Sequence, residues 1–377
     1  MISVMDAAQK TTERSLHLQA FDLLRFPLAV FVVVEHIFPP NYDTVYVNPA
    51  NLPFDAANSP VLNFWRDFVD AFIRGNNVPI FFFISGYLFF LGAEFSKDVY
   101  LRKLKSRVNT LLIPYIIWNA IVLIPLLLLH LPDLNLNFGG LLSAFWGYDY
   151  SLLHTGTDNS ALPLAPINSP LWYIRDLIVV VLFTPLIYKA ISVFKHWGVV
   201  ILGCIWFATG FLEPMCDSGF APAFFFFSWG AYMSICRENI EAEFGKVFRL
   251  SMFLYPCIGM LGIFLAHRWQ QGAGIVNHLN IIFGLLFAYN LAVWLLRKGF
   301  CRVNAVLASS SMFIYVSHYL LYSKYSRIYK MFGPFSDWEM IAVYFAALAF
   351  TVLALLGAFF VLKRFMPSLL KVLIGRK

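Results

Sequence analysis

Charge is what this sequence has least of. Asp, Glu, Lys and Arg make up 13% of its 377 residues, about half the share usual in soluble domains. Hydrophobic residues make up 60%, and a soluble fold of this length has too little interior to cover them. No CxxC pair joins any of the five cysteines, Cys204, Cys216, Cys236, Cys257 and Cys301. Most lie within or beside apolar runs, so packing accounts for them, and neither a disulfide framework nor a metal site is expected. Residues 1–19 carry Lys10, Glu13, Arg14 and His17 and lack the apolar run of a cleavable signal peptide. The first spanning helix is therefore expected to act as an uncleaved insertion signal. No GxSxG elbow surrounds any serine considered as a nucleophile. No internal repeat argues for an inverted-repeat transporter.

What is present is apolar sequence in blocks of about 20 residues, the length a bilayer core demands. Phe alone occurs 40 times. The blocks predict spans near 20–38, 77–93, 111–130, 171–188, 198–212, 221–236, 250–267, 276–296, 304–323 and 339–362. The expected fold class is all-α: a polytopic transmembrane helical bundle of about ten spanning helices, forming a single domain over 1–377.

The net charge of +7 follows membrane topology, and no nucleic-acid partner is expected. With the N-terminal tail 1–19 placed in the cytoplasm, Lys97, Arg102, Lys103, Lys105 and Arg107 fall inside. So do Arg237, Lys246, Arg249, Arg297, Lys298, Arg302 and the basic C-terminal residues. Outside fall Arg66, Arg74, Arg268, Lys324, Arg327 and Lys330. The excess of Lys and Arg inside supports an even number of spans, both termini cytoplasmic, and membrane lipids as the surrounding partner. The two longest loops, 39–76 and 131–170, then lie outside. The second holds no Lys or Arg but carries Phe145, Trp146, Tyr148 and Tyr150. It reads equally as a plain surface loop or as a cover over a polar ligand.

Ionisable groups within spans are costly unless paired or hydrated, and so are functional candidates. In the first span they are Asp22, Arg25, Glu35 and His36. Eleven residue steps of about 100° bring His36 to within about 20° of Arg25 around the helix, and about 16 Å along it. One face thus offers a fixed cation near the cytoplasm and a titratable imidazole near the outer side. An Arg suits phosphate or carboxylate, and a His suits proton transfer. Alone, Arg25 reads better as snorkelling to the interface. His36 reads equally as a helix-end cap near Pro39 or as a proton-transfer group. The fourth span opens Leu171-Trp172-Tyr173-Ile174-Arg175-Asp176 at the outer side. Adjacent helical residues point about 100° apart, so Arg175 is favoured as the site residue and Asp176 as its support. His318 in the ninth span reaches the same leaflet, where a helix–helix hydrogen bond and a functional role are equally weighted. Ser85-Gly86 in the second span reads as a small pair permitting close helix approach, or as a polar lining. The basic segment from Lys97 to Arg107 is explained as a loop that signals topology and contacts anionic lipid.

Taken together, several segments resemble the acyltransferase-3 family of membrane acyltransferases. They are Phe21-Asp22-Leu23-Leu24-Arg25 through His36, Pro79 through Leu88, Arg107 through Pro114-Tyr115, Leu171 through Leu177, and Phe313-Ile314-Tyr315 through His318. The resemblance covers nearly the whole chain in order, and the ten-residue gap between Arg25 and His36 is its most specific part. It implies a ten-helix membrane enzyme that takes an acyl group, often acetyl, from cytoplasmic acyl-CoA and places it on a glycan at the far side. His36 matches the family's essential histidine and Arg25 its paired basic residue. The family's two basic residues three apart before the third helix are incomplete here, because Arg107 is followed by Thr110. Arg102 with Lys105 is the nearest substitute. An extra hydrolase-like outer domain, present in some relatives, is not expected.

The expected site is therefore His36 and Arg25 as catalytic groups, with Glu35, Arg175, Ser85 and His318 as supporting or oxyanion candidates. Arg102, Lys103, Lys105 and Arg107 are the candidates for the phosphates of acyl-CoA, the donor substrate. The acceptor is a glycan hydroxyl, extracytoplasmic or on a lipid-linked saccharide, and the location a bacterial-type cytoplasmic (inner) membrane. Two rivals stand beside this: a transporter of a lipid-linked glycan or small anion, and an intramembrane hydrolase using Ser85 and His318. Oligomeric state is open in the sequence.

Overall fold

The computed structural model describes residues 15–38, 60–92, 94–130, 138–147, 165–212, 220–266, 268–321, 325 and 336–376. Among these, every regular element is helical. The first helix, α1 (Leu16–His36), tolerates Pro27 inside it. Next come α2 (Pro60–Val69), a five-residue π-helical turn (Asp70–Arg74) and α3 (Gly75–Phe90). Of the expected outer loop 39–76, residues 60–76 are thus helical, and 39–59 lie outside the described residues.

The segment expected as a basic loop is also a helix, α4 (Lys97–Arg107). Its local chemistry explains why. Ser96 caps it by accepting from the Val99 N–H at 3.3 Å. Asp98 sits in its first turn, and Lys105 and Arg107 in its last, as the helix dipole favours. A second π-helical turn (Val108–Leu112) carries α4 into α5 (Ile113–His130). Within the expected loop 131–170, Phe138–Trp146 forms a short helix, α6, and Ser169–Leu171 a 3-10 turn. Tyr148 and Tyr150 lie outside the described residues.

The expected span 171–188 is broken. The chain bends by 63° between Ser169–Leu182 and Thr184–Phe194, giving α7 (Trp172–Leu182) and α8 (Thr184–Phe194). Pro185 has no N–H to continue α7, and its ring clashes with the preceding turn. The Thr184 hydroxyl donates instead to the Val181 carbonyl at 2.8 Å. The remaining helices are α9 (His196–Leu212), α10 (Phe220–Ile235), α11 (Ile240–Lys246), α12 (Phe248–Ala266), α13 (Gln270–Arg297), α14 (Ala305–Ser317), α15 (Asp337–Phe365) and α16 (Pro367–Leu373). Ser336 and Glu339 close a capping box at the start of α15.

All ten predicted blocks are helical. Five described helices are long and apolar enough to cross a bilayer, or six if the bent pair counts as one, and three further apolar helices are shorter. The protein is multi-pass by this architecture. Its outer helices present large apolar side chains with no protein cover, such as Phe253 at 67% and Leu353 at 66% exposure. Lipid is the solvent that accepts such a surface.

The centre is held by close backbone contact. A Cβ on Gly86 of α3 would lie 2.0 Å from the Phe227 carbonyl oxygen of α10, and one on Gly230 of α10 would lie 2.0 Å from the Phe83 oxygen of α3. Two glycines thus let two helices touch through their backbones, where van der Waals packing is the main attraction available in lipid. Around this pair, α1, α7, α13 and α14 contribute the main core, with Phe21, Phe82, Phe226, Phe227 and Val316 fully or nearly fully buried.

Candidate active site

The last turn of α1 and the last turn of α14 meet at one end of the bundle. There the His36 and His318 rings lie 5.2 Å apart, tilted by 58°. His36 Nδ1 sits 2.7 Å from the Val32 carbonyl, one turn back in its own helix. His318 Nδ1 sits 2.7 Å from the Tyr315 carbonyl. A carbonyl oxygen only accepts, so each Nδ1 carries a proton, and in the neutral ring the lone pair is then on Nε2. His318 is fully buried, and its Nε2 has no hydrogen-bond partner among the described residues. Two imidazoles from different helices thus meet in one place.

Glu35, beside His36 in sequence, is buried at 8% exposure. Its carboxylate accepts from the Asn77 amide of α3, which satisfies a charge that would otherwise be costly there. The Tyr344 hydroxyl of α15 donates to the Val34 carbonyl at 2.8 Å, and the Tyr315 hydroxyl of α14 to the Pro170 carbonyl. The Asn77 and Tyr344 bonds hold the last turn of α1 from α3 and α15, and the Tyr315 bond ties α14 to the 3-10 turn before α7. A cavity of about 240 Å³ opens here, lined by Val32, Glu35, His36, Arg74, Pro79, Trp172 and Tyr315.

Arg25 does not line that cavity. It lies three turns away on α1, paired with Asp22 at 3.0 Å and 31% exposed. Two tyrosines in ring contact extend from the cavity toward the Arg25 end. Tyr315, in the cavity wall, meets Tyr173 edge-to-face at 5.8 Å. The Tyr173 hydroxyl hydrogen-bonds the Ser85 hydroxyl at 3.2 Å and lies within electrostatic reach of Arg107 and Arg25. Ser85 is therefore partnered by a phenol, and among the described residues no hydrogen bond joins it to His318.

The basic helix α4 divides into two faces. Lys103 and Arg107, one turn apart, turn inward over the Phe89 ring at 5.2 and 5.9 Å, and the Lys103 ammonium also donates to the Phe89 carbonyl. Arg102 and Lys105 point to solvent. The expected substitute pair Arg102/Lys105 is thus on the outer face, while the inward cations are Lys103 and Arg107.

Arg175 is placed elsewhere than the histidine cavity. Its Nε bonds Asp176 at 2.8 Å, and its Nη1 donates to the Trp146 carbonyl at 2.6 Å. Its guanidinium lies over the Trp146 and Phe220 rings at 5.5 and 5.7 Å. It ties α7 to the end of α6 and to α10. Asp176, fully buried, is its direct partner.

Two contributors escaped sequence reasoning. Arg74 lines the histidine cavity from the end of the first π-helical turn; sequence placed it in a loop. Arg376 returns from the C-terminal tail to Arg25. Burial, and next the Arg25 guanidinium, push its pKa below the usual arginine value, and Asp22 offsets part of this. The tail is seated there by the Trp118 indole donating to the Leu373 carbonyl at 2.9 Å and by Gly375, which has a φ of +66° and no room for a Cβ against Thr110. Nothing in a run of basic terminal residues signals such a return. Among the described residues no group of three or more His, Cys, Asp or Glu is placed to hold a metal ion.

Comparison with known proteins adds the following. A family model described as an acyltransferase domain matches residues 18–360. The chain is 25% identical over 335 residues to the succinoglycan biosynthesis protein ExoH of Rhizobium meliloti, covering 88% of this chain and 86% of that protein. No solved structure matches. The family match favours the enzyme over the transporter.

Proposed function

We propose, from the premise that this chain belongs to the acyltransferase-3 family and is an O-acyltransferase enzyme, that it moves an acyl group from cytoplasmic acyl-CoA to a glycan hydroxyl on the outer side of the cytoplasmic membrane. Acetyl is the group the family resemblance favours. The relative's role in succinoglycan biosynthesis supports a saccharide acceptor. The apolar blocks support about ten membrane crossings with both termini in the cytoplasm.

One observation carries the reading: two imidazoles with their Nδ1 atoms bound to carbonyls meet beside a cavity at the end of α1 assigned to the outer side. In this mechanism the acceptor hydroxyl oxygen attacks the thioester carbonyl carbon, and His36 Nε2 takes its proton. The C–O bond forms, the C–S bond breaks, and the proton returns to the departing sulfur. General-base help of this kind contributes about 10²–10⁴-fold. His318 stays neutral beside it, since two imidazolium ions 5.2 Å apart would repel each other. Glu35, held by Asn77, supplies negative potential beside the ring that becomes positive. Arg74 would stabilise a developing oxyanion from the cavity wall, and the Ser85–Tyr173 pair would line the path of the thioester arm. At the inner end, Lys103, Arg107, Arg25 and Arg376 attract the donor's phosphates, with Arg102 and Lys105 as outlying cations. Arg175 has a structural part in this scheme, fixing the α6 cover.

The test uses purified protein in liposomes, given radiolabelled acetyl-CoA and candidate glycans. Label should appear on the glycan with wild type and vanish with His36→Ala at equal membrane integration. Wild-type rates from a well-integrated His36→Ala protein would remove the assignment.

A further inference from the structure

A second polar cavity lies beside the histidine cavity and has no part in the scheme above. It measures about 250 Å³ and runs between the first π-helical turn and helices α12 and α13. Arg74 lines both cavities, so the two are neighbours across one side chain. We propose that this groove is the acceptor subsite and binds a neutral sugar unit of the glycan, delivering an adjacent hydroxyl past Arg74 to His36.

Three observations carry this. The first is charge. The groove wall holds Arg66, Asp67, Asp70 and Arg74, two positive and two negative groups whose formal charges cancel. A phosphate or carboxylate ligand would call for an excess of cations. Interleaved donors and acceptors instead match vicinal hydroxyls, each of which both gives and takes a hydrogen bond. The second is arrangement. The Asp70 carboxylate stands between two cations, 3.6 Å from Arg66 and 3.4 Å from Arg74, so donors and acceptors alternate along the wall.

The third is an orphan acceptor. Asn280 of α13 is 1% exposed and lines the groove. Its amide nitrogen donates to the Ala71 carbonyl at 2.5 Å. That carbonyl can only accept, so the amide cannot be turned over. Its oxygen is left buried with no partner among the described residues. Leaving such a group unpaired is costly, and a sugar hydroxyl reaching it from the groove would satisfy it. Ala71 belongs to the π-helical turn, a distortion often found at functional sites, so the same turn shapes the groove and aims Arg74.

The saccharide class rests on the acyl-transfer reading, and the experiment keeps the two apart by measuring binding without turnover. Protein in phosphatidylcholine nanodiscs is mixed with cellotetraose, laminaritetraose or a β-linked galactotetraose, and saturation-transfer NMR reports contact. Gly262→Leu plugs the groove: a Cβ there meets only Val276 Cγ1, at an ordinary 3.7 Å, so the protein accommodates it. Asn280→Leu removes the orphan acceptor. Gly357→Leu on α15, where a Cβ meets nothing, is the control. Wild type and the control should bind at least one sugar, and both groove variants should bind it at least tenfold more weakly. No binding by wild type, equal binding by a folded Gly262→Leu, or displacement of copurified lipid alone would overturn the proposal. Sugar binding by a wild-type protein that never cleaves acetyl-CoA would instead defeat the acyl-transfer reading and leave the groove assigned.

Discussion

The two ends of α1 are built on opposite principles. At the outer end each polar group has directional partners: His36 on Val32, Glu35 on Asn77, and the Val34 carbonyl on Tyr344. At the inner end Arg25 shares its surroundings with Asp22 and Arg376, and inward cations from α4 lie over an aromatic ring. The first arrangement orients its groups by directional bonds, as the proposed proton transfer requires. The second supplies potential without fixed geometry, as the proposed polyphosphate donor requires. The lesson is that one helix can carry directional bonds at one end and diffuse charge at the other, provided its ends have different neighbours.

The sharpest way to break this contrast is at the outer end. His36→Ala should lower acyl transfer by about 10²–10⁴-fold, with the Michaelis constant for acetyl-CoA little changed. His318→Ala should cost less than His36→Ala, because its ring packs beside the base without taking the proton; a larger loss from His318→Ala would reverse their roles.

Next in size is a stability effect away from both ends. Arg175→Met leaves the fully buried Asp176 carboxylate without its ion pair. Breaking a buried pair in this way costs about 3–5 kcal/mol. The thermal midpoint in detergent should fall sharply, while Arg175→Met combined with Asp176→Leu should recover part of it. A single variant with wild-type stability would show that the pair is idle.

At the inner end the effects should be graded and sensitive to salt. Lys103→Ala and Arg107→Ala should raise the Michaelis constant for acetyl-CoA by about tenfold, the equivalent of about 1.4 kcal/mol. Arg102→Ala and Lys105→Ala, on the solvent face, should raise it less than threefold. Equal effects from both pairs would mean that α4 acts only through its total charge. Arg376→Ala should give the smallest change, a few-fold rise that shrinks as ionic strength increases. A rise independent of salt would make the tail a packing element only.

The architecture was largely legible before any coordinates. Every predicted block is helical because a long apolar run in lipid has to satisfy its own backbone. The Ser85-Gly86 pair was read as a close approach, and Gly86 does meet the Phe227 backbone. The break at Phe183 was signalled by Thr184-Pro185 but hidden by the unbroken hydrophobicity on either side. The basic segment before the third block reads as a loop when only charge is counted; its cap, Ser96, was the overlooked sign of a helix.

The site was legible in its parts and not in its pairings. Arg25, Glu35, His36 and His318 stood out because ionisable groups are rare in apolar sequence. Arg175 stood out for the same reason, yet it braces α6 and does not line the histidine cavity. Asn77, Tyr344 and Asn280 carry no charge and so gave no such signal, although each holds or shapes the site.

The sequence by itself determined a helical membrane protein, an uneven share of cations between alternate connecting segments, and an arginine and a histidine on one helix face. All three follow from local rules: the cost of bare backbone in lipid, the cost of moving charge across it, and the fixed 100° turn of an α-helix. Only the tertiary structure decided that His36 meets His318, that Arg175 does not join them, and that Arg376 comes back to Arg25. Those pairings depend on how each helix is rotated and how closely it approaches its neighbour, as Gly86 and Gly230 allow, and no periodicity within one segment encodes the rotation of another.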